Sequence, residues 1–439
     1  MRRRPQTALS TVSLPALSIG ACIICAHGPA PTTPTRTGSM SGKCATRRAH
    51  ADVRQDGDTW TVLYRRFGRT ELQMPVFSCG GMRFQQSWSD RGQPIRDEAQ
   101  ENLAATVQAA MDRGITHIET ARGYGTSERQ LGMLMPDLDR QRLILQTKVA
   151  PTPDPAAFEA HVLESLDRLK VSRVDLLGLH GINTYEKLWW ALRPGGCLEV
   201  ARSMQAAGLI GHVGFSTHGT VQMIQQALAA DFDYVNLHWY WIFQRNWPVI
   251  AQAAQRDMGV FIISPADKGG RLYDPSPRLQ ELCAPLHPLV FNALFCLSRP
   301  EVHTLSIGAA TPADFDLAVS ALDHDFSEIE QPAARLLAAM ADTLGDGVWE
   351  QIGQGIPAWD HCPGLINVEM TVLLRAVLLA WGMDGFAKWR YGMLGNESDW
   401  LPGMDARDAG NFDFTRALAH SPLAEQIATW LPGAHDLLT

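Results

Sequence analysis

Four side chains that can donate, accept or steer a proton lie where hydrophobic runs of the sequence end: Glu119, Tyr124, Lys148 and His180. A free tyrosine, with a pKa near ~10, is a poor proton donor at neutral pH. A nearby ammonium lowers that pKa, and a carboxylate keeps the ammonium charged and in place. A histidine can orient a carbonyl oxygen toward the phenol. Together the four residue types predict general acid chemistry at a carbonyl group.

The elements that must position these residues follow a regular alternation. Between about Val76 and Asp323, eight short apolar runs such as "VFIISPA" each precede a segment with apolar residues at helical spacing. Eight such units predict an α/β fold, a closed (β/α)8 TIM barrel. The alternative is an open doubly wound sheet, but "SCGGMRFQQ" after the first strand lacks the spacing of a glycine-rich phosphate loop.

The barrel hypothesis places the four side chains on one rim. In a parallel barrel the active site lies at the C-terminal ends of the strands. Glu119 ends the second predicted strand, Lys148 the third and His180 the fourth, and Tyr124 follows in the loop after the second. Neighbouring strands end side by side, so we expect the four side chains to converge.

The chain divides into three predicted parts. Residues 1–60 are a low-complexity leader without an acidic residue from Met1 to Ala51. They are interpreted as a start upstream of a true Met40, as a disordered or targeting segment, or as a lipoprotein signal with Cys22 as its acceptor. Residues 61–327 are the predicted barrel, and residues 328–439 a helical domain whose tryptophans we expect in its core.

Charge and composition exclude several classes of protein. The formal net charge of -8 and the pI of about 6.0 argue against a nucleic-acid partner. No apolar run reaches the ~18–20 residues of a membrane span. The eight cysteines are widely spread, which predicts reduced thiols in a cytoplasmic protein. The sequence contains no cluster of His and Cys at the spacing of metal ligands, so no metal site is predicted.

Four motifs in order carry a family resemblance: "HIETARGYG", "LILQTK", "VDLLGLHG" and "HVGFS", preceded by the hairpin pattern "YRRFGRT". Over roughly residues 63–322 the sequence resembles the aldo-keto reductase superfamily. The resemblance implies an NAD(P)H-dependent oxidoreductase that interconverts a small carbonyl compound, an aldehyde or ketone, and an alcohol. "GFSTHG", "DYVNLHW" and "DKGGRL" are similar to the subgroup with a C-terminal ferredoxin-like domain.

The resemblance also implies a role for individual residues. Tyr124 is the general acid, Lys148 and Glu119 tune it, and His180 orients the substrate, while hydride comes from NADPH. Contacts to that cofactor are carried over to Ser216, Asn236, Ser264, Lys268 and Gly308.

Several positions depart from the family pattern. Glu119 stands where Asp is usual, and Asn236 where Gln is frequent. "GAATPADFDLAV" after the last strand has no basic residue or Asn for a 2′-phosphate, so NADH is possible. Beyond the barrel, "HCPGLIN" holds a lone cysteine, Cys362, so no iron–sulfur cluster is expected. The alternative function is a nicotinamide-cofactor-binding sensor or partner subunit with little or no catalysis.

Overall fold

The computed structural model describes residues 62–396 and 398–439. The predicted leader, residues 1–60, with the hypotheses about Met40 and Cys22, lies outside the described residues. No helix within the described residues is long and apolar enough to cross a membrane.

The strands and helices alternate along most of the described chain. The strands are β1 Tyr64–Arg66, β2 Gln73–Pro75, β3 Phe77–Gly80, β4 His117–Glu119, β5 Ile144–Val149, β6 Val174–Leu179, β7 Ile210–Ser216, β8 Tyr234–Leu237, β9 Gly259–Ile262 and β10 Thr304–Ile307. The helices up to the last strand are α1 Asp97–Asp112, α2 Ser127–Leu134, α3 Pro155–Leu169, α4 Tyr185–Leu192, α5 Cys197–Ala206, α6 Val221–Leu228, α7 Trp247–Gln255, α8 Pro277–Cys283 and α9 Pro288–Leu297. Those after it are α10 Asp314–Val319, α11 Glu330–Leu344, α12 Val348–Gln351, α13 Val368–Trp381, α14 Asp384–Tyr391, α15 Ala424–Trp430 and α16 Ala434–Leu438.

Strands β3 to β10 close into a parallel barrel in the order β10-β3-β4-β5-β6-β7-β8-β9. The closure lies between the first and last of these strands, where Ser306 pairs with Ser78. Each strand is buried nearly throughout, as expected when helices cover the outside of a parallel sheet. The predicted (β/α)8 barrel is therefore confirmed, and the open doubly wound sheet is excluded.

The first two strands form an antiparallel hairpin outside the barrel sheet. In the turn of the hairpin, Phe67 is fully buried against the starts of two strands, with its ring centroid 5.7 Å from that of Tyr234. A side chain at Gly259 would meet the Phe67 ring at 2.6 Å. The hairpin thus closes the N-terminal end of the barrel, opposite the predicted active site.

Helix α3 shows how the sequence fixes the connection between two site-bearing strands, β5 and β6. Asp154 caps the helix, because its carboxylate accepts a hydrogen bond from the Ala156 N–H at 3.0 Å. Pro155 occupies the first helical position, where its missing N–H costs nothing. Phe158 and Val162 lie on one face of the helix and are fully buried. Burial of such side chains is worth roughly 1.5–3 kcal/mol each and holds the helix on the barrel.

The helices after the barrel pack on it and on one another. Helix α11 contacts both α13 and the barrel-side helix α8. Trp381, the last residue of α13, is fully buried; its indole N–H donates to the Leu336 carbonyl at 2.9 Å, and its own carbonyl accepts from Ser276 at 3.2 Å. The predicted boundary at residue 328 falls within a short 3-10 turn, Phe326–Ile329, that leads directly into α11. The division of the chain into separate domains stays a prediction.

Candidate active site

Three adjacent strands carry candidate residues to the C-terminal rim of the barrel. Glu119 is the last residue of β4, Lys148 lies one residue before the end of β5, and His180 follows β6 directly. Strand β5 pairs in parallel with both of its neighbours, so the ends of these three strands are adjacent on the rim. Tyr124 lies in the loop between β4 and α2. The structure brings the four predicted side chains together.

Lys148 and Glu119 form a buried ion pair. The lysine is 1% and the glutamate 3% exposed, and the Lys148 ammonium also donates to the Thr120 carbonyl at 2.7 Å. Ser306 donates to the other Glu119 oxygen at 3.4 Å. The longer side chain of glutamate, compared with aspartate, therefore still reaches the lysine.

The Tyr124 ring is half-buried and lies between charged and aromatic neighbours. The Lys148 ammonium is 4.7 Å from its ring centroid, and the His180 ring meets it edge-on at 5.7 Å. We expected the ammonium to lower the phenol pKa. Instead burial, together with the Glu119 carboxylate, raises the pKa of Tyr124 well above 10. Because Lys148 is paired with Glu119, the carboxylate offsets much of the effect that the ammonium has on the phenol. Tyr124 therefore stays protonated at neutral pH.

His180 is held in its neutral form. Burial, with smaller effects of Lys148, Lys187 and Lys268, lowers the pKa of His180 to about 3. A neutral imidazole offers one N–H donor and one ring-nitrogen acceptor. His180 can therefore hydrogen-bond a carbonyl oxygen next to the phenol without competing with it as the proton source.

The four side chains line one cavity of about 390 Å³, called here the main cavity. Four of the residues carried over as cofactor contacts line it as well: Ser216, Ser264, Lys268 and Gly308. Asn236 does not, although its register partner on β7 is Ser216. Eight of the nine predicted site residues therefore share one space.

Asn236 is nevertheless unusual, because its side-chain amide is fully buried and neither amide atom has a hydrogen-bond partner. An unpaired buried amide is costly, and such groups are normally satisfied by protein, water or ligand. An amide presents one acceptor and two donor hydrogens, which is complementary to another carboxamide. The unpaired amide beside Ser216 is thus chemically complementary to a group such as the nicotinamide carboxamide, although Asn236 itself does not line the main cavity.

Arg83 was not predicted from the sequence, yet it lies at the end of the last strand. Its guanidinium donates to the Gly308 carbonyl at 2.7 Å and stacks over the Tyr273 ring at 4.5 Å. Asp314 lies 3.9 Å from it. The segment "GAATPADFDLAV" has no cation, but a cation from the loop after β3 lies beside it. This residue is distant in sequence, so inspection of the segment could not reveal it.

The glycines around Tyr124 have different roles. Gly125 has φ +53°, and a Cβ there would meet the Ser87 carbonyl oxygen at 1.8 Å. It packs against the preceding loop of the protein. Gly123 faces the main cavity, where a Cβ would be 3.7 Å from the His180 ring.

Two tryptophans from the C-terminal segment also line the main cavity, Trp389 and Trp400. We expected the tryptophans of this segment in its core; these two are partly buried against the core and also face the cavity. Trp381 does lie in the core. Trp389 lies in α14 and Trp400 in the turn that follows this helix, and their position at the cavity depends on how this segment packs on the barrel.

Within residues 62–396 and 398–439, no group of three or more His, Cys, Asp or Glu side chains is placed to hold a metal ion. The cysteines described there are all buried and free: Cys79, Cys197, Cys283, Cys296 and Cys362.

Comparison with protein-family models places this site in a known family. Residues 77–274 match the model of the Aldo/keto reductase family. The barrel belongs to the aldo/keto reductase superfamily. The aldo/keto reductase match spans β3 to β9 and includes the four catalytic candidates; Gly308 and the C-terminal helices lie beyond it.

Solved structures agree with the fold of this aldo/keto reductase barrel. A Bacillus halodurans aldo-keto reductase in its holo form is 19% identical, with a TM-score of 0.53 over 62% of this chain and 96% of that one. A thermostable aldo-keto reductase in complex with the inhibitor epalrestat is also 19% identical, with a TM-score of 0.52 over 62% of this chain and 99% of that one. No curated protein sequence matches the chain. The family match over residues 77–274 supports an oxidoreductase of the aldo/keto reductase type.

Proposed function

We propose that the chain is an NAD(P)H-dependent enzyme that interconverts an aldehyde or ketone and the corresponding alcohol. The observation that carries this proposal is the arrangement around Tyr124. Its ring lies next to a buried Lys148–Glu119 ion pair and a neutral His180, and all four line the main cavity.

Each residue has a distinct part in the proposed reduction. Tyr124 donates its phenolic proton to the carbonyl oxygen as negative charge develops there. The Lys148 ammonium lies 4.7 Å from the ring centroid and attracts the phenolate that results, although Glu119 offsets much of its charge. His180 directs the carbonyl oxygen toward Tyr124 by a hydrogen bond. The rim thus supplies one proton and holds a cation beside the phenolate that its loss leaves behind.

The cofactor side of the proposal is supported by the remaining lining residues. A bound nicotinamide cofactor supplies the hydride that accompanies this proton. Ser216 and Asn236 would hold the carboxamide, as the unpaired amide of Asn236 suggests. Arg83 and the backbone around Ser264 and Gly308 would face its phosphates. Both NADPH and NADH suit this set, and we expect NADPH from the family.

The substitution Tyr124→Phe tests the proposal, because it keeps the ring and removes the proton donor. General acid catalysis is worth about 10²–10⁴-fold, so turnover of a working aldehyde or ketone should fall by that range. Cofactor affinity, followed by fluorescence titration with NADPH and NADH, should change little. The measurement is cofactor oxidation against a panel of carbonyl compounds.

Tyr185→Phe is the matched control, since Tyr185 is 53% exposed on α4 and does not line the main cavity. It should behave as wild type. If Tyr124→Phe turns over substrate as fast as wild type, the catalytic role is wrong and the cofactor-binding sensor becomes the better explanation. If neither cofactor binds at millimolar concentration, both functions fail.

A further inference from the structure

A second, smaller cavity of about 100 Å³ lies beside the main cavity, between the barrel rim and the C-terminal helices; we call it the side cavity. Lys268, His218 and Trp400 line both cavities, which makes the two adjoining spaces. Arg390, from α14, lines the side cavity alone. The side cavity is therefore an extension of the active site that the family match, residues 77–274, does not include in full.

Arg390 is buried without a counter-ion in the described part of the chain. It is 5% exposed, its Nη1 has no hydrogen-bond partner, and none of the described carboxylates lies within ion-pair distance. Its guanidinium carbon lies 4.8 Å from the Trp400 ring centroid, and the Lys268 ammonium lies 4.5 Å from the same centroid. Two cations therefore meet at one indole ring.

The surroundings of this pair carry little compensating charge. Arg245, also in the lining, is paired with Glu369, so those two charges offset each other. Asp267 attracts both Lys268 and Arg390 through space but makes no ion pair with either among the described residues. The imidazoles of His218 and His238 are neutral, because burial holds the pKa of each well below 6.5. The side cavity consequently has an excess of positive charge.

A buried cation without a partner is expensive, and folded proteins normally pair or solvate it. The burial of an unpaired arginine at the wall of a cavity next to an active site is explained if a ligand supplies the missing anion. We propose that the side cavity binds a carboxylate or similar anionic group of the carbonyl substrate, with Arg390 as the anchor and Lys268 as the second cation. This inference rests on the proposed function and names the class of substrate: an aldehyde or ketone that carries an acid group.

The anionic group could also be a phosphate of the nicotinamide cofactor, since Lys268 also lines the main cavity. Size and position favour the substrate. The side cavity has about a quarter of the volume of the main cavity, 100 against 390 Å³, so it suits a carboxylate on a short linker better than half a dinucleotide. Arg390, moreover, does not line the main cavity.

The test compares aldehydes that carry a carboxylate two to five carbons from the carbonyl with their methyl esters, which have nearly the same shape and no charge. For wild type we expect kcat/KM to favour the acid at one of these chain lengths. In Arg390→Met this preference, the ratio for acid over ester, should fall by about 10- to 100-fold, the range expected for a charge-assisted hydrogen bond. The dissociation constants of NADPH and NADH should stay within twofold.

Arg375→Met is the matched control. Arg375 stacks on Trp430 at 4.8 Å in the same C-terminal segment but lies outside both cavity linings. It should keep the wild-type preference. An unchanged preference in Arg390→Met, or an equal loss in Arg375→Met, overturns the proposal. A weaker cofactor affinity in Arg390→Met with an unchanged preference also overturns it and assigns the cations to a cofactor phosphate.

A second measurement does not depend on turnover. Succinate, glutarate and adipate, at constant ionic strength, should raise the Tm of wild type and of Arg375→Met, because a ligand that binds the folded state stabilises it. Arg390→Met should lose this rise. A rise with no aldehyde reduction by any variant would support the anion site while the proposed function fails; no rise in wild type with any of the three dicarboxylates counts against the anion site itself.

Discussion

Glu119 and Lys148 show how one pair of side chains carries both stability and chemistry. Each is almost completely buried, and each satisfies the charge of the other. Removal of one partner leaves a buried charge uncompensated, which typically costs about 3–5 kcal/mol. Together with burial, the pair explains why Tyr124 is a protonated phenol, because Glu119 offsets much of the lysine charge that would lower its pKa.

We predict that Glu119→Gln strongly lowers the free energy of unfolding, by about 3–5 kcal/mol, because Lys148 loses its counter-charge while staying buried. Glu119→Asp keeps the charge and should cost much less. Urea unfolding of the two variants beside wild type checks this. Equal stability of Glu119→Gln and Glu119→Asp would show that the charge of the pair does not matter for folding.

At the residue scale, the sequence predicted which side chains meet but not how they perturb one another. Glu119, Lys148 and His180 could be placed together because each follows from the end of a strand, and strand ends of a parallel barrel share a rim. The direction in which the pKa of Tyr124 shifts could not be predicted, since it depends on burial and on the charge with which Lys148 is paired. Arg83 and Arg390 reach the cavities from loops and helices whose paths no local pattern specifies.

The loop after β4 depends on one close backbone approach. Gly125 has a left-handed φ of +53° and lies against the Ser87 carbonyl and the Trp88 backbone. Trp88 in turn meets the Tyr124 ring edge-on at 6.4 Å. This contact between two loops fixes the position of the phenol, although neither loop has regular secondary structure at that point.

Gly125→Ala should therefore damage activity and stability together. The left-handed conformation alone costs roughly 1–2 kcal/mol for a residue with a Cβ, and the clash with Ser87 forces the two loops apart. Gly92→Ala is a suitable comparison, because Gly92 also has positive φ, +77°, but open space around its Cα. Carbonyl-reducing turnover and Tm of both variants give the answer; equal losses would mean that the loop contact does not position Tyr124.

At the element scale, the repeated strand–helix units were readable because buried strands and amphipathic helices have distinct periods. Helices α4 and α8 were not predicted. In α4, Tyr185 is 53% and Trp189 63% exposed, so two large aromatic side chains face solvent and blur the amphipathic pattern. Helix α8 has seven residues, too few for a clear period.

Where the C-terminal helices meet the barrel, the buried positive charge of Lys268 lowers the stability of the whole molecule. Burial, with a contribution from Arg390, lowers the pKa of Lys268 from 10.5 to about 7, and Asp267 opposes this only in part. Between about pH 7 and 10.5 the unfolded chain binds more protons at this lysine than the folded protein does, so this group makes stability rise with pH. Below about pH 7 the folded protein holds the buried charge and bears its full cost.

Lys268→Met should accordingly be more stable than wild type at pH 6, and the difference should shrink as the pH approaches 10. Urea unfolding of the two proteins at several pH values between 6 and 10 measures it. Lys388→Met, at an exposed lysine on α14, serves as the control and should show no such trend. A constant difference across this range would mean that Lys268 does not titrate as its surroundings require.

The arrangement of the C-terminal helices over the rim was the feature least predictable from the sequence. Helices there could be predicted from their periodicity, but their position follows from contacts far apart in sequence, such as the ion pairs of Arg245 with Glu369 and of Lys187 with Asp399. Trp389 and Trp400 became cavity residues only through that position.

Because Trp389, Arg390 and Trp400 come after all the barrel strands in the chain, the site is finished last during synthesis. At about 5–20 residues per second, roughly 5–20 s separate translation of the final barrel strand from that of Trp400. During that interval a nascent barrel would have its catalytic rim complete in sequence but open to solvent on one side. The residues proposed to transfer the proton would thus be synthesised before the residues that we expect to select the substrate.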